Sequence, residues 1–283
     1  VNVAASARPE IIDVWTNPPL VEMFRGLPEV KRLFEQSGSA RSLESGLTPD
    51  EVVAQMDAAG IARLLITSWI RPGRVLASND RVAEFVQANP DRFCGIACVD
   101  LERPVAAVRE LDRAVNDLGF KALRVLPWLW KLPPNDRLYY PLYVKCIELD
   151  IPFCTQVGHT GPLMPSEPGR PIPYIDEVAL TFPELRIVCG HIGYPWTDEM
   201  IALAWKHEHV YIDTSAHLPR YYPPQLLHFM NSYGQDKVLF GTNFPMLDLK
   251  KCAEQAVALD LKPEARDKFL SGNAKRVFRL DAS

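Results

Sequence analysis

Eight short apolar runs, each followed by an amphipathic stretch, govern what this chain can fold into. Residues 11–15, 62–67, 93–99, 120–126, 152–157, 185–189, 210–213 and 237–240 read as strands. Between them the spacing predicts helices over 49–60, 80–88, 105–118, 138–149, 172–182, 196–207 and 224–233, with another over 250–259. In the first of these Thr48 is placed to cap the N-terminus, and Val52, Val53 and Met56 recur at helical spacing. Near-continuous apolar strands divided by helices form parallel sheets whose outer face the helices cover. Eight such units predict closure into a (β/α)8 TIM barrel, with any site built from the loops that follow the strands.

Length agrees with that reading, because 283 residues is the size of one such barrel and the whole chain is expected to be a single domain. Hydrophobic residues are 47% and charged residues 23%, which excludes disorder, collagen and coiled coil. Lys plus Arg number 31 against 35 Asp plus Glu, so no cationic surface for nucleic acid is expected. Residues 1–8 are polar or small and no apolar run reaches membrane-span length, so the expectation is a cytoplasmic protein without a membrane partner. Six cysteines without a C-x-x-C pair read as buried reduced thiols. Two longer connections, 20–47 after strand one and 158–173 after strand five, read as insertions over the barrel mouth, where long loops shape pockets.

The histidines are the next constraint, since none precedes His159. His159 follows strand five, His191 ends strand six and His217 follows strand seven, which puts all three on the catalytic face. His207 and His209 form an H-x-H pair, but it leads into strand seven and belongs to the opposite face. His191 is the candidate general acid or base, with His159 assisting, because imidazole titrates near neutral pH. Arg124 ends strand four with a fork suited to a carboxylate, or alternatively closes a salt bridge within the barrel. Asp213 is placed to orient His191 or His217. Arg220, with Tyr221 and Tyr222, is placed to close over an anionic or aromatic ligand. Gln156, Ser215 and Asn243 are expected to face the pocket, and Trp128, Trp130, Tyr139 and Tyr140 either wall it or pack. Cys154 lacks an oxyanion motif and a nucleophile elbow, so it reads as a buried thiol.

Several runs carry a family likeness. Cys189-Gly190-His191-Ile192-Gly193-Tyr194-Pro195-Trp196, Val210-Tyr211-Ile212-Asp213-Thr214-Ser215 and Val238-Leu239-Phe240-Gly241-Thr242-Asn243-Phe244-Pro245 resemble the amidohydrolase-related family of TIM-barrel hydrolases and decarboxylases. The closing segment Gly272-Asn273-Ala274-Lys275-Arg276-Val277-Phe278 and the His159-Thr160-Gly161 turn extend the resemblance over nearly the whole chain. It implies a divalent metal held by H-x-H at the end of strand one, a His after strand five and an Asp after strand eight, with the strand-six His moving protons. Those ligand positions fall on Trp15 and Asn17, on His159 and on Asn243, and the strand-six His is His191. Indole nitrogen only donates, and the two amides offer neutral oxygens. A single His is too few for a zinc site, so no cofactor is expected. Zinc or another divalent metal relocated to His159, His191 and His217 is the fallback.

The expectation is therefore a metal-independent enzyme acting on a small cyclic or aromatic molecule, with Trp15, Asn17, Arg124, Gln156, Ser215, His217, Arg220 and Asn243 around the substrate and His191, His159 and Asp213 as machinery. Family analogy puts hydrolysis first. Decarboxylation of an aromatic or enolic acid is the alternative, and an inactive binding or scaffold protein is a second one. The resemblance also implies a homo-oligomer, a dimer above all.

Overall fold

A computed structural model describes residues 9–40 and 42–280. The polar stretch 1–8 lies outside the described residues. The parallel strands are β1 (Ile12–Thr16), β2 (Arg63–Thr67), β3 (Phe93–Ile96), β4 (Leu123–Val125), β5 (Phe153–Gln156), β6 (Ile187–Gly190), β7 (Val210–Asp213) and β8 (Val238–Leu239). Strands β1 to β3 pair in sequence order, as do β4 to β8. Backbone bonds across both seams join the two sheets into a ring. At the β3–β4 seam Ala97 N–H donates to Ala122 O and Arg124 N–H to Ala97 O, each at 2.8 Å. At the β8–β1 seam Val14 N–H donates to Phe240 O at 3.0 Å, Asn243 N–H to Trp15 O at 2.8 Å and Asn17 N–H to Phe244 O at 2.8 Å. Almost every strand residue is buried, as expected where helices cover the outside and side chains fill the inside.

Local chemistry sets the helix ends. Pro49–Ala59 starts on a capping box between Thr48 and Glu51 and stops at Gly60, whose φ of 73° is a left-handed turn that glycine adopts without strain. Val52 and Met56 face the core and Val53 is half-buried, so the predicted stripe is present but narrower. The observed strands begin or end one to three residues inside several predicted runs, because the ladder stops where the barrel rim begins although apolar residues continue.

Two features escaped the sequence reading. A hairpin, Trp69–Arg71 with Arg74–Ala77, follows β2 directly; its Pro72-Gly73 turn signal is plain in retrospect. At the chain's end, Pro263–Asp267, a π-helical turn at Lys268–Gly272 and Asn273–Phe278 place Phe269 against Phe240, 5.8 Å between ring centres. Asn273 of the closing segment donates to Val238 O and Gln235 O, both at 2.8 Å, and so satisfies carbonyls at the start of β8.

Both insertions lie over the mouth. The first folds into Val21–Arg25, a turn at Pro28–Val30, Lys31–Ser37 and Ser42–Ser45; the second is irregular apart from one turn at Glu167–Gly169. Arg32 reaches from one to the other, donating to Gly161 O at 3.2 Å. All six cysteines are unpaired thiols, Cys94 half-buried and the rest buried.

Candidate active site

The strand ends and the first insertion enclose a cavity of about 190 Å³. Its floor is Trp15 and Asn17 from the end of β1, Gln156 from the end of β5, His191 after β6 and Asn243 after β8. Apolar walls come from Met23, Phe24, Leu27, Val30 and Phe34 of the insertion and from Trp69 and Trp128, with His159 and His217 at the rim. An open pocket of this kind speaks against the scaffold alternative, which predicts a filled mouth.

Trp15 is the centre of the floor. A Cβ at Gly190 would stand 2.7 Å from its ring, so only glycine lets the indole lie across the end of β6. The His191 ring meets Trp15 edge-on at 5.4 Å, and the Arg124 guanidinium lies 4.4 Å from the Trp15 ring centre on a cation–π contact. His191 itself has φ 70° and Ile192 φ 52°, left-handed values that non-glycine residues hold only where packing imposes them. That turn brings the imidazole to the pocket. Its Nε2 is enclosed and has no hydrogen-bond partner.

Burial first, and then the neighbouring His217, Arg124 and His159, hold His191 well below the usual histidine pKa. Burial also lowers His217, against the opposing pull of Ser215 O, which lies 3.1 Å from Nδ1. Both rings are therefore neutral bases at neutral pH. Two carboxylates sit deeper, inside the barrel. Asp13 accepts from Thr242 Oγ1 at 2.5 Å, Thr242 N–H at 3.0 Å and Trp15 N–H at 3.1 Å, and burial pushes its pKa up to about 7. Asp213 is likewise pushed up to about 7 by burial. Asp13 was missed by sequence reasoning, although a lone acid within the apolar run Ile11-Ile12-Asp13-Val14-Trp15 was the available signal.

The structure brings Trp15, Asn17, Gln156, His159, His191, His217 and Asn243 to one pocket. Four expectations are corrected. Arg124 is buried behind Asn17 and Trp15 rather than open to the pocket; its Nη2 donates to Asn17 Oδ1 at 2.7 Å and to Thr16 O at 3.4 Å. Asp213 orients neither imidazole ring: it accepts from Ser215 N–H at 3.0 Å and from Ser215 Oγ, and lies against the backbone N–H of His191. Ser215 is turned inward by that contact and does not line the pocket. Arg220 stays on the surface, stacked on Tyr221 at 4.6 Å. Of the aromatic group, Trp128 lines the pocket and donates to Gln156 Oε1 at 2.7 Å, whereas Tyr139 packs against Tyr143 and Phe153 in the core. His207 pairs with Asp176 at 2.7 Å, outside the pocket.

The positions that would ligate a metal do not fit one. Asn17 Oδ1 already accepts from Arg124 and from Trp69 Nε1, and Asn243 Oδ1 from Asn17 Nδ2 at 2.9 Å. Trp15 has no lone pair to give, and the Arg124 guanidinium stands beside both Trp15 and Asn17. Among the described residues no three His, Cys, Asp or Glu side chains are grouped to hold a metal ion, so His159, His191 and His217 share a pocket without forming a ligand set.

The amidohydrolase family profile matches residues 12–280. The chain belongs to the amidohydrolase family. Its likeness to γ-resorcylate decarboxylase of Rhizobium radiobacter is 25% identity over 252 residues, 72% of this chain and 75% of that protein. An uncharacterized TIM-barrel protein from Bordetella bronchiseptica superposes with a TM-score of 0.82 at 28% identity, covering 95% of this chain and 98% of that one. A dihydroxybenzoic acid decarboxylase from Polaromonas sp. JS666, solved with bound manganese and the inhibitor 2-nitroresorcinol, superposes with a TM-score of 0.70 at 21% identity, covering 97% and 98%. These likenesses confirm the amidohydrolase-type barrel and an amidohydrolase-superfamily enzyme. They do not support the preference for hydrolysis, nor the expectation of no cofactor, since the Polaromonas enzyme carries a metal. Among the described residues no helix is long and apolar enough to cross a membrane.

Proposed function

We propose that this amidohydrolase-family chain is a carbon–carbon lyase that releases CO2 from a small aromatic or enolic acid, with His191 delivering the proton to carbon. The observation that carries the reading is His191: an imidazole at the pocket floor, held neutral by burial and free of hydrogen bonds at Nε2. Among the described residues no Ser, Thr, Cys, Asp, Glu or Lys side chain lines the pocket, so a hydrolytic route through a covalent intermediate has no nucleophile there. The decarboxylase relatives favour the same choice.

The steps follow from charge. An anionic substrate raises the proton affinity of the imidazole beside it, so His191 takes up a proton as the acid enters. The bond between ring carbon and carboxyl carbon then breaks, its electron pair stays on the ring carbon, and CO2 leaves uncharged. The imidazolium gives its proton to that carbon and returns to the neutral base. Apolar walls from Phe24, Leu27, Phe34 and Trp69 favour the step, because the carboxylate loses its charge as CO2 forms. No step passes through a metal, for which the donor set does not fit.

The test is CO2 release from a panel of hydroxybenzoates, 2,6-dihydroxybenzoate first, by protein dialysed against chelator. Release that survives chelation and collapses in His191→Asn supports the reading. Release from no member of the panel, or an unchanged rate in His191→Asn, overturns it.

A further inference from the structure

The hydrogen-bond directions at the β8–β1 seam are fixed by chemistry. A guanidinium and an indole only donate, so the Asn17 atom that meets Arg124 Nη2 at 2.7 Å and Trp69 Nε1 at 3.1 Å is the carbonyl oxygen. Its amide nitrogen therefore faces Asn243 at 2.9 Å and Phe244 O at 3.2 Å, and both its hydrogens are used. The Asn243 atom receiving that bond must be its oxygen, which leaves Nδ2 as the outward end. Among the described residues that nitrogen meets only the thioether of Met246, at 3.7 Å, and both residues line the pocket. Thioether sulfur is a weak acceptor.

At the inner end, Arg124 is 2% exposed and, among the described residues, forms no ion pair with a carboxylate. Its second nitrogen, Nη1, has no partner. Asp213 and Asp13 lie within electrostatic reach of Arg124, but burial raises the pKa of both acids to about 7, so they offset the charge only in part; in direct contact with neutral groups alone, the guanidinium leaves a local field that favours a negative charge nearby. Hydrogen-bonded amides in series polarise one another in the same sense, so each N–H further along is a stronger donor.

We propose that Arg124, Asn17 and Asn243 form a polarised donor relay that presents Asn243 Nδ2–H to an anionic oxygen, carboxylate or phenolate, of the bound ligand. The positions that match a cation site in the family are thereby inverted: lone pairs that would hold a metal are turned inward onto a fixed cation, and an N–H faces outward. Arg124 is a positioning residue in this arrangement, and Asn243 is the one that touches the ligand. The inference takes from the proposed function only that the ligand carries an anionic oxygen.

The experiment compares benzoate with benzamide, near-equal in shape but one charged and one neutral, titrated against chelator-dialysed protein by the fluorescence of the pocket tryptophans. Benzoate is expected to bind about tenfold or more tightly than benzamide, the scale of one charge-assisted hydrogen bond. Asn243→Ala removes that preference and Asn243→Asp reverses it, while benzamide binding to Asn243→Ala changes little. Arg124→Met also removes it if folded; since it empties a buried site, the two pocket-surface variants decide. Equal affinity in the parent protein, binding of neither probe at millimolar concentration, or a preference that survives in Asn243→Ala overturns the relay. Benzoate preference without CO2 release leaves the relay standing and removes the decarboxylase reading; release without the preference does the opposite.

Discussion

On the β8–β1 side of the mouth every polar atom of Asn17 is engaged, and its partners reach Arg124, Trp69, Asn243 and Phe244. On the β5–β7 side His191 Nε2 has no partner, and His159 and His217 are held only through Nδ1, by Tyr194 O and Ser215 O. One side is a closed network that fixes shape and field; the other keeps bases whose protons are free to move. The difference teaches where stability and chemistry reside in the same pocket. Loss of a network member leaves buried groups unpaired, whereas loss of a free base removes only what it does to a ligand.

The largest effect is expected on the histidine side. His191→Asn lowers the rate of CO2 release by about 10²- to 10⁴-fold, the range for a general acid or base, with little change in the denaturant midpoint. A large fall in that midpoint would erase the contrast between the two sides. On the network side Asn17→Ala strips partners from a buried guanidinium, an indole and an amide, and is expected to cost about 3–5 kcal/mol in urea unfolding. A cost under about 1 kcal/mol would show that the network is not what holds this side.

Gly190→Ala tests the contact between the sides, since its Cβ would lie 2.7 Å from Trp15. Displacing that ring is expected to cost about 1–3 kcal/mol and to weaken binding of both benzoate and benzamide. Unchanged Trp15 fluorescence in this variant would sink the expectation.

A smaller effect is a pH trend with opposite signs in the two groups. Asp213 is raised from 3.8 to about 7, so its contribution to stability is full below about pH 4 and is lost as pH rises through 7. His191 and His217 are lowered from 6.5, so theirs is full above 6.5 and is lost as pH falls through the depressed values. Asp213→Asn removes its own share of the acid-side trend and leaves that of Asp13, which burial raises likewise. Its Tm relative to the parent is therefore expected to climb between about pH 4 and pH 8, and a pH-independent offset would count against the raised carboxylate. The smallest effect is that of Arg220→Ala, which touches neither side: stability within about 0.5 kcal/mol and unchanged probe affinity, with any twofold loss of benzoate affinity reinstating this residue as an anchor.

Much of the site was legible because it depends on where strands end. His159, His191, His217 and Asn243 follow strands and Gln156 ends one, and a barrel sends all such residues to one face whatever the details. Arg124, Asp213 and Ser215 also sit at strand ends, yet they point into the barrel. Strand position fixes the face of the ring but not whether a side chain turns outward to the mouth or inward to the axis, which is settled by packing against the other strands. The hydrophobic wall from Phe24, Leu27 and Phe34 was foreseen only as an insertion of unstated shape, since three short helices without a shared periodicity leave no pattern to read.

The sequence by itself determined the eight-unit barrel, the face on which the histidines gather and the presence of an indole and two neutral amides at Trp15, Asn17 and Asn243, because each follows from residue type and local order. Only the tertiary structure decided what those groups meet. Arg124 is 107 residues from Asn17, and Asn17 is 226 from Asn243. No local rule connects residues so far apart; closing the barrel at the β8–β1 seam does, and it brings a buried cation behind two amides whose free end faces the ligand.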